Sequence, residues 1–434
     1  MNCTKLYRWL PVVLGLFAAT ACTDEAPTDV GDDLLPSGDV RTFEVILDPA
    51  GYLTFDTTFT GYTTTRNANW ITIANQFGGV VDANGLFRFG APPRIITVRG
   101  ATGSVVDSFP RYFEGRLVLR LDSLMSEEPP VHLRAYRTAE EWDGSATWTL
   151  RVDTGNVELP WATPGGTRGA SIDTATWAAG DSIVLRVDSV TLAQWIDTTN
   201  TARGALVVSE TPDSRVRIRD AVLRVSAHSS LQADTVLNFD VTPIANAFIF
   251  NPPPPPAGSQ LRVGGVPSWR SMIGFRPDLA SLTFPCPGVA GCVVRLSEAH
   301  IARAELLLQP AAAPAGYIPE DTTYVGVRTL LVTPGIPLER SPIGGDVCGG
   351  SPACLFTGES PPEYFAQPPG TEPVAYDVTN YIIALVDEDV SAVNRPPFAL
   401  TILIPNEPLT FGFATFAPGP RLRLVLTAHV ERPQ

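Results

Sequence analysis

Lysine is nearly absent from this chain. Lys5 is the only one among 434 residues, and every other permanent base is an arginine. Basic charge is also in deficit: 31 Lys and Arg face 45 Asp and Glu, a formal net charge of −14. A chain of that balance has no overall electrostatic reason to sit on nucleic acid or on an anionic surface. Long apolar runs are missing too. After Cys22 no stretch of about 18 apolar residues occurs, so no transmembrane helix is expected. Histidine is scarce. His132, His228, His300 and His429 lie far apart, with no HExxH or HxH spacing, so neither a zinc site nor a triad base is read from them. There is no GxSxG, no P-loop and no GxGxxG opening a helix. Glu140 and Glu141 are adjacent and so point to opposite faces of an extended chain, unlike the facing carboxylates of glycoside hydrolysis. No catalytic residue, cofactor or metal site is assigned. The acidic run Asp387, Glu388 and Asp389 lacks the spacing of a calcium loop and reads as solvated. Helical periodicity is almost absent, except for a turn or two at 190–196 and 379–386.

What is present is β-structure. Short alternating runs recur at 42–47 (TFEVIL), 70–74, 116–121 (RLVLRL), 183–187 and 216–225, separated by Gly, Pro, Asn and Asp. Hydrophobic residues make up 44 % and charged ones 18 %, the balance of a globular chain. An internal repeat organises these runs. Residues 71–89 (ITIANQFGGVVDANGLFRF) echo 261–275 (LRVGGVPSWRSMIGF). Residues 116–121 echo 304–309, Arg137-Thr138 echoes Arg328-Thr329, 190–191 echo 378–379, and 221–227 (AVLRVSA) echo 422–428 (LRLVLTA). The echoes keep one order, at offsets of 188 to 201 positions. The pattern predicts two copies of one β-sandwich. The seam falls in 229–260 and holds five consecutive prolines, 252–256, which take the polyproline II form. A stiff connector, or an exposed loop at the start of the second copy, is the reading preferred there over a docking strip.

Five tryptophans crowd one stretch of the first copy: Trp142, Trp148, Trp161, Trp177 and Trp195. Trp195 lies in a hydrophobic run and reads as core, and Trp148 fits either role. Trp142, Trp161 and Trp177 flank Gly, Pro and Asp, and are the candidates for an exposed platform on which a sugar ring stacks. The alternative is that large indoles fill a thick sandwich. Arg134, Arg137 and Arg151 lie on neighbouring strands and could grip a uronate carboxylate. Pairing with local acids such as Asp153 and Glu158 is the alternative.

The N-terminus has its own pattern. Lys5 and Arg8 precede an apolar core of nine residues, 10–18 (LPVVLGLFA), too short to anchor in a bilayer. Small residues Ala19, Thr20 and Ala21 follow, then Cys22. This resembles the signal of a bacterial lipoprotein, with Ala19 where Leu is usual, and it implies cleavage before Cys22 and lipidation of its thiol. The exported chain would then be held by its N-terminal lipid at the outer membrane, facing the periplasm or the surface. Removal of 1–21 leaves 413 residues, too many for one core. The layout expected is a signal at 1–21, a flexible acidic tether at 22–40, a first sandwich at 41–233 and a second at 234–434. In an oxidising compartment the local pairs Cys286/Cys292 and Cys348/Cys354 predict two disulfides. Five residues separate each pair, wider than the ~2–4 of zinc knuckles.

The segment VGDDLLPSGDV, with DTTF at 56–59, resembles the start of a family of uncharacterised surface lipoproteins. Both halves also resemble the DNRLRE-type β-sandwich modules, which are related to carbohydrate-binding modules. Residues 261–275 match the first strand pair, 302–308 (ARAELLL) the next strand, 161–166 (WATPGG) the turn, 377–379 the DVT element and 420–424 the closing strand. The first half has VDSVT in place of DVT; the second has DVT but lacks the tryptophans. The resemblance implies tandem antiparallel, jelly-roll-like sandwiches, and a group in which some members bind acidic polysaccharide and others are structural. The reading that follows is a non-catalytic, lipid-anchored envelope protein with a structural or interaction role. Its alternative is polysaccharide binding through the tryptophans. The partners are the membrane, and polysaccharide or another envelope protein, without nucleic acid.

Overall fold

The computed structural model describes residues 38–431, apart from 63–64, 68–69, 101–102, 123–125, 127–129, 155, 198, 233, 267, 348–357, 392–393, 406 and 408–410. The signal, most of the tether, Cys22, Cys348 and Cys354 lie outside the described residues. The described residues open with β1 (Gly38–Leu47) and β2 (Leu53–Thr60). Then come β3 (Ile71–Phe77), β4 (Val81–Phe89), β5 (Ile96–Gly100), β6 (Gly103–Asp107), β7 (Arg111–Leu121), β8 (Val131–Thr138), β9 (Leu150–Asp153), β10 (Glu158–Pro160), β11 (Arg168–Trp177) and β12 (Ser182–Val187). Helix α1 (Ser189–Ile196) leads to β13 (Ala205–Ser209), β14 (Ser214–His228), β15 (Val236–Val241) and β16 (Pro243–Phe250). The second half runs β17 (Leu261–Gly264), β18 (Trp269–Phe275), β19 (Thr283–Pro285), β20 (Val293–Arg295), β21 (His300–Leu308), β22 (Pro310–Ala311), β23 (Thr323–Tyr324), β24 (Gly326–Leu330), β25 (Ile343–Asp346), β26 (Glu359–Ser360) and β27 (Val374–Asp377). Helix α2 (Thr379–Val386), β28 (Ala399–Leu403), β29 (Phe413–Phe416) and β30 (Arg421–Glu431) complete it.

The strands form because apolar residues recur at every second position. In β12 Ile183, Leu185 and Val187 are buried while Ser182, Val184 and Arg186 are exposed. In β7 Leu117, Leu119 and Leu121 point inward in the same way. The strand pairs of the described residues are antiparallel, and the molecule is an all-β pair of sandwiches. In the first, β15-β14-β7-β12 form one sheet and β3-β4-β13-β8-β11 the other, with β16 added to β4. One long strand joins the two sheets. Residues 214–218 of β14 pair with β3, and the rest pair with β7 and β15. A register shift between Ile218 and Asp220 marks the crossing, as a bulge bends a strand from one sheet to the next.

The second sandwich repeats this plan. Its sheets are β1-β30-β21-β27 and β17-β18-β28-β24-β25, with β29 on β17 and β2 on β18. Here Pro418, Gly419 and Pro420 divide the long strand into β29 and β30. Helices α1 and α2 each follow an edge strand and are tied at the start, unlike the single helical turn Pro49–Tyr52 between β1 and β2. The Asp188 carboxylate accepts from Thr191 N at 2.6 Å, and that of Asp377 from Thr379 N at 2.8 Å. The small hairpin β5–β6 corresponds to β19–β20, which the Cys286–Cys292 disulfide closes.

One correspondence corrects the expected boundaries. In the first sandwich β15 and β16 follow β14 and complete the two sheets. In the second the same places are filled by β1 and β2. Residues 38–60 therefore belong with 261–431, and 236–250 with 71–228, unlike the 41–233 and 234–434 division. The end of the expected tether, 38–40, is already strand. The sequence echoes align like with like along the chain, so they carry no sign of a strand pair displaced from one end to the other.

The two sandwiches share one apolar cluster. Phe248 and Phe250 of β16 meet Phe411 at 5.9 and 5.2 Å between ring centres, and Tyr317 stacks on Phe411 and Phe413. Glu320 reaches across to Arg215 and Arg217, both at 2.7 Å. The proline run lies along this seam as a connector. Buried Arg262 donates to the carbonyl of Pro254 at 2.9 Å and lies over the rings of Trp269 and Phe413. Burial, which disfavours the charged form, lowers the Arg262 pKa to about 10.

Candidate functional site

The tryptophans expected as a platform are core. Trp142, Trp161 and Trp177 are 0, 5 and 4 % exposed. Trp142 and Trp161 lie in a segment that folds back over the outer face of the second sheet. There they pack on Leu86, Leu206 and Ile249. Arg88 stacks on Trp142 at 4.8 Å, and the Trp161 indole N–H donates to Thr147 O at 2.9 Å. Trp177 ends β11 inside the main core, its N–H donated to Gly180 O. Gly, Pro and Asp beside these residues do mark loops. The outer sheet face is apolar, however, and a large indole covers it.

The three arginines are also engaged. Arg134 grips the Glu210 carboxylate through two nitrogens at 2.5 and 3.2 Å, and that hydrogen bond raises its pKa. Arg137 donates to Gln194. Arg151 donates to Glu141 O at 2.8 Å and lies 3.8 Å from Glu140. The partners differ from Asp153 and Glu158, but the role is local pairing. No edge of a ligand platform is made by them.

An open groove lies nearby, at the end of β3, β4 and β13, with a volume of about 500 Å³. Its wall is 163–167, the end of the WATPGG turn and the threonine that follows it. Gly165 and Gly166 take φ of +86° and +94°, which favours glycine. A Cβ on Gly165 would come within 2.8 Å of the Trp148 ring, so the glycine lets the indole approach the turn closely. Asn84, buried beneath, donates to Gly165 O at 2.8 Å and fixes the turn to β4. Partly buried Trp148 is thus held at the rim. Arg168, the first residue of β11, is exposed beside it, with its guanidinium 5.2 Å from the Tyr136 ring centre. Among the described residues Arg168 has no carboxylate partner, and the Asn75 amide makes no side-chain hydrogen bond. Asp82 is occupied: it accepts from Gln76 N at 3.0 Å and from the Gln76 amide.

The groove therefore offers an indole face, a guanidinium without a carboxylate and an amide with open hydrogen-bonding capacity. That set can stack a ring and grip a carboxylate. Sequence reasoning quoted the turn but passed over Arg168 and Asn75; the glycine pair and a tryptophan of either role were the only signals. Among the described residues no group of three or more His, Cys, Asp or Glu could hold a metal. Asp387 accepts from Asp389 N at 2.9 Å, so the acidic run caps its own turn. No protein-family model matches the chain, and no curated protein matches it.

Proposed function

We propose that the protein is a non-catalytic, lipid-anchored component of the cell envelope, with a structural or interaction role at the outer membrane. The observation that carries this reading is the way the N-terminus enters the body. β1 begins 16 positions after Cys22 and pairs with β30 over ten residues, Gly38 with Glu431 through Leu47 with Leu422. A lipid on Cys22 would thus be joined by a short acidic stretch to a ten-residue ladder within a fused pair of sandwiches. Such a body keeps its surfaces within the reach of that stretch from the anchor. Fractionation of cells carrying Cys22→Ala tests the anchor. The variant should leave the membrane fraction or accumulate as precursor; unchanged mobility and unchanged membrane association would refute the anchor.

The groove supports a second reading, polysaccharide binding, moved from the buried tryptophans to Trp148, Arg168 and Asn75. Trp148→Ala should weaken retention on an acidic-polysaccharide gel about tenfold, or about 1.4 kcal/mol, and leave the melting temperature nearly unchanged. Trp161→Ala should instead cost about 3–5 kcal/mol of stability. Full retention by Trp148→Ala excludes the groove.

A further inference from the structure

The most exposed large aromatic among the described residues sits in an apolar tip at one end of the first sandwich. Phe109 is 78 % exposed, immediately after the β5–β6 hairpin. Ile95 at 61 %, Val106 at 60 % and Leu231 at 54 % belong to the same region. Strand pairing and side-chain hydrogen bonds bring these segments together. Ile96 pairs with Asp107, so Ile95 and Phe109 flank the same end of the ladder. Ser229 and Ser230, just before Leu231, donate to the Asp107 carboxylate. Gln232 donates to Arg99 O at 3.2 Å, and Tyr112 donates to Pro93 O. The tip is therefore rigid at its base while its apolar side chains face water, an arrangement that marks a surface contact.

The charge around the tip runs against that of the whole chain. Arg94 and Arg111 are exposed at the Phe109 end of the hairpin and Arg99 is exposed toward its turn, opposite Ser104, and among the described residues none of the three has an acidic partner. The acids of the same region are mostly spent. Asp107 is buried and holds four donors, and Glu114 pairs with Arg116 at 3.2 Å. Asp234 is the exposed exception. A net charge of −14 conceals this local basic collar.

We infer that the Phe109 tip with its arginine collar is a membrane-contact site that docks the first sandwich on an anionic lipid surface. Apolar side chains enter the interfacial layer while guanidinium groups remain at the level of the phosphates. A docked tip would give the body a fixed orientation, which an N-terminal tether alone does not. The envelope reading supplies the setting, and the surface chemistry stands apart from it. The test is vesicle co-sedimentation of the chain from residue 22 onward, carrying Cys22→Ser so that no acyl group contributes. The protein should sediment with phosphatidylglycerol-rich vesicles and far less with phosphatidylcholine alone. Arg94→Gln, Arg99→Gln and Arg111→Gln together should lower the partitioning on the order of tenfold or more, and added salt should do the same. Phe109→Ser should lower it several-fold at an unchanged melting temperature. Absence of binding, binding indifferent to these substitutions, or self-association through the tip without vesicle binding would each overturn the site. Because the probe lacks the lipid, such failure leaves the Cys22→Ala fractionation free to succeed.

Discussion

Asp107 holds the base of the β5–β6 hairpin through one side chain. Its oxygens accept from the Ser230 hydroxyl and N–H, the Ser229 hydroxyl and Phe109 N. These donors, the Ser230 hydroxyl foremost, push its pKa down to about 2, against the usual carboxylate value near 3.9. The folded value lies below the unfolded one, so the ionised carboxylate stabilises the fold. That contribution is complete above about pH 4 and is lost as pH falls toward 2. Amide protection in β5 and β6 should accordingly weaken across that window, and Asp107→Asn should flatten the dependence. Protection that stays level from pH 5 to about 2 in the unsubstituted protein would show that the serines do not matter. Single residues were the least legible part of the sequence. A tryptophan beside Gly or Pro announces a loop, but whether the loop lies open or folds over a sheet is decided by distant residues. Around Trp142 those are Leu86, well before it in the chain, and Leu206 and Ile249, well after it. Nothing local to the indole names them.

At the level of elements much more could be read. Alternation in TFEVIL, RLVLRL and SIVLRV gave β1, β7 and β12 because a half-buried strand repeats every two residues. Helices α1 and α2 fell where the helical patterns occurred, each with an Asp at its start, while the single turn Pro49–Tyr52 carried no such pattern. The repeat was visible because equivalent strands fill equivalent places in the two sandwiches. What escaped was the pairing of β1 and β2. Their partners, β30 and β18, lie in the other half of the chain. An antiparallel ladder leaves no mark on a strand that says which distant edge it joins. Loop chemistry also differed between the copies: hydrogen bonds to Asp107 fasten one small hairpin, and the Cys286–Cys292 disulfide fastens the other.

The molecule as a whole is two equivalent sandwiches in which the chain's first strands complete the last module. In the first copy, β14 turns into β15 through residues 229–235. In the second, the two residues that such a turn would join, Glu431 and Gly38, face each other in the β1–β30 ladder. Strand β1, the first of the described residues, is therefore built into the far half of the chain, while the near half holds the groove and the Phe109 tip. Circular rearrangement of the second module tests this most directly. Fragment 258–434 should be compared with the same fragment carrying 38–60 at its C-terminus through a loop the length of 229–235. The rearranged fragment should unfold cooperatively on heating, and the bare fragment, with two sheets left short of a strand, should not. Equal cooperative melting of both would contradict the completion of the second sandwich by β1 and β2.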